Sequence, residues 1–193
     1  MSPNIVKLGG LAGILAAAMF LVVAAIDQIA PIDVVYDSPN EYAHLAVSTA
    51  AFLAVVVAVV GLWALKSRTS RLRRLATVAA WLVGLGYGLV ALLNVVNLLV
   101  GGRSLNNVRL GVALVMLIGS VILGVVVLVT QVLPWWCGVL MIIAFPLGHF
   151  VNALFPSAES ILYVLLWGSV GVALLGRANV PAEPAVRHSA RIS

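Results

Sequence analysis

Charge is scarce in this sequence. Only 9% of its 193 residues are Asp, Glu, Lys or Arg, while 63% are hydrophobic. Soluble domains carry roughly 45–50% apolar and about 25% charged residues. So few charges cannot cover the surface of a soluble globule, and the apolar excess excludes a disordered chain. Cysteine is almost absent: Cys137 stands alone, which excludes an internal disulfide, a CxxC redox pair and a thiolate zinc cage. The motifs that announce common chemistries are missing too. The chain has no HExxH, no GxSG, no DDxxD and no P-loop.

What the sequence does have is long apolar runs. A helix needs about 20 mostly apolar residues to cross roughly 30 Å of hydrocarbon. Six runs meet that length: Leu8 to Ala30, Tyr42 to Leu65, Leu75 to Val100, Leu110 to Thr130, Pro134 to Phe155, and Ala158 to Gly176. They are too long for strands and lack alternation of period two. The expected fold is all-α, a polytopic membrane bundle of six transmembrane helices over residues 1–176. The polar tail 177–193, with two prolines, is expected to be a disordered cytoplasmic end.

The charges are unevenly placed. Lys66, Arg68, Arg71, Arg73 and Arg74 crowd the connection between the second and third runs. Short loops rich in Lys and Arg stay cytoplasmic. Strict alternation then puts both termini inside, with Lys7, Arg177, Arg187 and Arg191, and leaves Arg103 and Arg109 outside. Asp33, Asp37, Glu41 and Glu159 also fall outside. The basic connection reads as a topology signal rather than a nucleic-acid site. The bias toward Arg, Ala, Val, Leu and Gly fits a GC-rich bacterial genome, so the expected location is the bacterial cytoplasmic (inner) membrane. The first run is longer than the usual 7–15-residue core of a signal peptide and is read as a retained helix.

Lipid is as apolar as Leu, so small residues, not greasy ones, bring membrane helices together. Gly9, Gly13 and Ala17 form one such stripe, Ala80, Gly84 and Gly88 a second, and Ser120 with Gly124 a third. These are expected contacts within the bundle, with homo-oligomerisation as the other use. Trp135 and Trp136 are expected interfacial anchors. Pro146 deprives the Ile142 carbonyl of its helical partner, so a kink is expected there.

The informative residues are those that hydrocarbon disfavours. Asp27 lies near the end of the first run, His44 near the start of the second, Asn94 and Asn97 near the end of the third, and His149 and Asn152 near the end of the fifth. Alternation brings all six to one depth, toward the outside. Tyr42, Gln28 and Tyr163 are placed to join them. The set admits a closed structural network, an outward cup for a small polar ligand, a haem or metal site using His44 and His149, or acid–base catalysis. The expected role is non-enzymatic: small-ligand binding or an accessory function. The expected partners are the lipid bilayer and either a membrane protein or a second copy of the chain, without nucleic acid.

The length, the basic connection and the abrupt VLPWWCGVL start of the fifth run resemble a broad group of actinobacterial-type six-helix integral membrane proteins of unknown function. That resemblance implies fold and topology. Six helices with both ends inside are also similar to the substrate-binding subunits of energy-coupling-factor vitamin transporters. Those dock a partner through small residues on the first helix, here Ala12 and Ala16 in AxxxA spacing. Intramembrane hydrolases of the ceramidase and progestin-receptor superfamily have seven helices and an HxxxH pair, which this chain lacks.

Overall fold

A computed structural model describes residues 3–29, 38–66, 72–100, 106–152, 155 and 157–179. For Lys66, Asn106, Asn107, His149 and Asn152 it describes the backbone alone. The described chain forms six helices and no strand: α1 (Pro3–Ile29), α2 (Pro39–Lys66), α3 (Arg73–Val100), α4 (Asn106–Thr130), α5 (Trp135–Asn152) and α6 (Ala158–Ala178). Five are long and apolar enough to cross a membrane. The 18-residue α5 is the short one, about 27 Å at 1.5 Å per residue.

Each helix packs against its neighbours in the chain, and α6 returns to α1, so the six form a closed ring. The α1–α6 and α1–α2 interfaces are the most extensive. Successive helices run antiparallel. At one end lie Asp27, Glu41 and Glu159, here called the acidic end. At the other lie Lys7, Arg73, Arg74 and Arg177, the basic end.

Alanines supply much of the inward face. Ala16, Ala51, Ala58, Ala64, Ala79 and Ala144 face inward and are fully buried. Leu11, Leu15, Leu85, Leu92 and Leu114 face outward with half or more of their surface exposed. A soluble protein would not present such a continuous apolar exterior, whereas lipid tails solvate it. Trp135 and Trp136 are exposed at the basic end, as interfacial anchors should be.

Glycine sets the interfaces of α1. A Cβ on Gly9 would lie 2.5 Å from the Gly61 Cα on α2, and one on Gly13 would lie 2.9 Å from the Gly171 Cα on α6. The first stripe thus serves two neighbours inside the ring. On α4, Gly124 meets the Gly138 carbonyl of α5. The second stripe holds in part. Ala80 is buried and Gly84 is in van der Waals contact with Val59 of α2, but Gly88 faces open space, and Gly86 is the α3 glycine that meets α4, at Met116. Residues at i and i+4 share a face, but their spacing does not say which neighbour that face meets.

Helices α2 and α6 also touch each other beside α1, and aromatic rings fill the interior of the bundle. Phe20 of α1, Phe52 of α2, Tyr87 of α3, and Tyr163 and Trp167 of α6 stack edge to face or tilted, with centroids 5.0–6.2 Å apart. Tyr87 and Trp167 bring together α3 and α6, whose backbones do not touch.

Helix ends show local chemistry. Ser38 and Glu41 make a reciprocal cap at the start of α2. The Ser38 N–H donates to Glu41 Oε2 at 3.0 Å, and the Glu41 N–H donates to Ser38 Oγ at 3.4 Å. Pro39 follows at the first helical position, where its missing N–H is harmless. Glu41 is 4% exposed, so it is a capping group rather than the free outside charge its position suggests. Ser38→Ala should destabilise the bundle by about 1 kcal/mol, measured as the unfolding free energy in mixed micelles, with faster amide exchange at Asn40 and Glu41. At the far end of the chain, α6 continues through Arg177 and Ala178, past the expected boundary at Gly176. Residues 180–193 of the expected tail lie outside the described residues.

Candidate functional site at the acidic end

Asp27 sits in the last turn of α1 and His44 in the second turn of α2. The antiparallel crossing set by Gly9 and Gly61 brings these two turns together at the other end of the pair. His44 Nδ1 lies 2.7 Å from Asp27 Oδ1, with the side chains 19% and 15% exposed. Neither atom has another hydrogen-bond partner among the described residues. A carboxylate facing Nδ1 favours a proton on that nitrogen. Nε2, on the other side of the ring, points away from Asp27.

Asn94 and Ser48 form a second cluster, deeper and closed. Asn94 Nδ2 donates to Ser48 Oγ at 3.0 Å, and Ser48 Oγ donates to the Leu45 carbonyl at 3.1 Å. The Arg109 guanidinium donates to Asn94 Oδ1. Asn94 and Ser48 are each 3% exposed. One amide therefore ties α2, α3 and α4 together, with its nitrogen and its oxygen each bonded to a neighbouring helix. Asn97, one turn nearer the end of α3, is 2% exposed and also has a bonding partner.

A third tie joins α1 to α6. Gln28 Nε2 donates to Ser157 Oγ at 3.0 Å, and Ser157 Oγ donates to the Ala24 carbonyl at 3.1 Å. Ser157 has φ 77°, an uncommon left-handed conformation for serine. Two residues on, Glu159 Oε1 accepts from the Tyr163 hydroxyl at 2.9 Å. That bond connects the acidic end to the aromatic axis.

Of the six residues singled out in the sequence, Asp27 and His44 are in direct contact. Asn94 and Asn97 are buried on the adjoining helix. The α5 backbone carries His149 and Asn152 to the same end. Their side chains lie outside the described residues, and α5 packs against α4 and α6 but not against α2. Arg109 is the member that sequence reasoning missed. It was read as an outside loop charge, yet it stands in the first turns of α4 and reaches Asn94. The available signal was its place one residue before an unbroken apolar run. A long cation there bends its head toward polar company.

The chemistry open to this end is limited by these bonds. Ser48 is one turn below His44, but its hydroxyl donates to a backbone carbonyl and accepts from Asn94, so it is not poised as a His-activated nucleophile. Among the described residues, no three His, Cys, Asp or Glu side chains converge as a metal site. What remains is a carboxylate–imidazole pair, partly open and able to accept or donate hydrogen bonds. Comparison with family models, with curated proteins and with solved structures gives no match.

Proposed function

We propose that this is a non-enzymatic, multi-pass protein of the bacterial cytoplasmic membrane that binds a small polar ligand at the Asp27–His44 pair. Both termini lie in the cytoplasm and the acidic end faces outward. The clustering of Lys7, Arg73, Arg74 and Arg177 at the opposite end supports that orientation. The observation that carries the ligand reading is the pair itself. Its contacting atoms have no other hydrogen-bond partner among the described residues, and both side chains are partly exposed. The neighbouring Asn94 cluster, by contrast, spends its hydrogen bonds internally and serves as the rigid wall. Setting a carboxylate and an imidazole at the end of two apolar helices is unfavourable unless they are paired or solvated. The pair supplies part of this, and a ligand bridging His44 Nε2 and the second Asp27 oxygen would add to it.

The dock for a transport partner has no such support. Ala16, the inner member of the AxxxA pair, is fully buried within the bundle rather than presented at its surface.

Native mass spectrometry of the full chain in mild detergent tests the proposal. A non-lipid adduct is expected on the wild type and should be lost from Asp27→Asn and His44→Gln, while both variants keep the wild-type far-UV circular dichroism. A wild type free of any non-lipid adduct at low detergent, or an adduct retained by both variants, would refute the ligand site.

A further inference from the structure

The lipid-facing side of α3 begins with two arginines. Arg73 and Arg74 open its first turn at the basic end, and both side chains are exposed. The three described carboxylates, Asp27, Glu41 and Glu159, all lie at the acidic end, so neither arginine has a carboxylate partner among the described residues. The connection 66–74 holds five basic residues and no acidic one. Nor has α3 an acidic residue in its first turn. Cations at the positive end of a helix are unfavourable without an anion to offset them. The turn is held in place against α2. Trp63 Nε1 donates to Thr77 Oγ1 at 3.2 Å, and Thr77 Oγ1 donates to the Arg73 carbonyl at 2.9 Å.

Below Arg74 the same helix face is apolar. Arg74, Val78, Trp81 and Leu85 follow at i, i+4, i+7 and i+11. Val78, Trp81 and Leu85 each leave more than half of their surface exposed. From Arg74 to Leu85 the stripe runs about 16 Å at 1.5 Å per residue, the depth of one leaflet in a hydrocarbon core of roughly 30 Å.

We infer that this face binds an anionic phospholipid from the leaflet at the basic end, its phosphate on Arg73 and Arg74 and an acyl chain along Val78, Trp81 and Leu85. Charge and depth together select this occupant. Unpaired basic side chains at a membrane surface attract anionic headgroups, and the stripe beneath them matches the lipid's own tail. A nucleic acid could meet the arginines but could not follow the stripe into hydrocarbon. A second copy of the chain could cover the stripe, but both copies share one orientation in the membrane. A symmetric contact through α3 would set two arginines from each copy side by side at one depth, and like charges oppose it. This inference does not depend on the Asp27–His44 ligand reading.

The test uses the full chain in vesicles of phosphatidylethanolamine and phosphatidylglycerol, with brominated acyl chains on one lipid at a time, and reads the quenching of tryptophan emission. The Trp81 share of that emission is the part lost in Trp81→Phe. At equal mole fraction, brominated phosphatidylglycerol should quench this share more strongly than brominated phosphatidylethanolamine. Arg73→Gln combined with Arg74→Gln should lower the relative affinity for phosphatidylglycerol at least about fivefold, roughly the factor that one basic residue near an anionic surface contributes. Arg177→Gln, at the same end but on α6, should leave it unchanged. Equal quenching by the two lipids in the wild type, an undiminished preference in the double variant, or the same loss in Arg177→Gln would overturn the inference. Quenching by neither lipid would also overturn it, because protein would then cover the stripe. So would displacement of phosphatidylglycerol by a short RNA duplex, which would make nucleic acid the partner.

Discussion

Gly9→Leu is expected to destabilise the bundle by about 3 kcal/mol or more, above the usual 1–3 kcal/mol range for overpacking. The reason is that no side chain can yield. The added Cβ would lie 2.5 Å from the Gly61 Cα, 3.1 Å from its nitrogen and 3.3 Å from the Ala58 carbonyl oxygen. The conflict is reciprocal, since a Cβ on Gly61 would lie 2.6 Å from the Gly9 Cα. Relief requires α1 and α2 to separate, and that separation also pulls Gly13 from Gly171 and Asp27 from His44. Gly88→Leu is the control. Nothing stands within 4 Å of its added Cβ, and replacing glycine within a helix is favourable by up to about 1 kcal/mol. Unfolding by dodecyl sulfate in mixed micelles, followed by circular dichroism, should show a large loss for the first variant and no loss for the second. Comparable midpoints for the two would show that the α1–α2 crossing is not set by close backbone approach.

Trp167→Ala should cost about 3 kcal/mol, the low end of the 3–5 kcal/mol seen for aromatic truncation in soluble cores. Trp167 is 2% exposed and packs on Tyr87 at 5.6 Å, filling the axis between helices whose backbones do not meet. The low end applies because lipid, not water, receives the ring on unfolding, so the loss is mainly of packing contacts. The cavity should also loosen Tyr163 and, through it, the bond to Glu159. Unfolding free energy measures the first effect, and faster amide exchange in the opening turns of α6 measures the second. Trp81→Ala, from a site 63% exposed, should leave the unfolding free energy within about 0.5 kcal/mol of wild type.

The six helices were legible as apolar runs, with boundaries displaced by a few residues. The α1 start at Pro3 and the α2 start at Pro39 precede the expected Leu8 and Tyr42 because helices continue past the hydrocarbon into polar sequence. The capping box was also written in the sequence, as Ser38-Pro39-Asn40-Glu41, but Glu41 read as one more outside charge. Less of the candidate site was legible. That Asp27, His44, Asn94 and Asn97 share one end followed from counting and alternation. That His44 faces Asp27 while Asn94 faces Ser48 and Arg109 did not, since hydrogen-bond partners on separate helices have no fixed spacing in the chain.

By itself, the sequence determined how many helices form and at which end each polar residue falls. Both are one-dimensional quantities: a run length, and a position along an axis at 1.5 Å per residue. The tertiary structure decided the rotation of each helix and the identity of its neighbours. In a membrane, lipid and protein offer an apolar face nearly the same solvation, so hydrophobicity does not orient a helix about its axis. Here that rotation comes from a few non-local contacts, Gly9 on Gly61, Gly13 on Gly171 and the aromatic axis, and with it the pairing of Asp27 and His44.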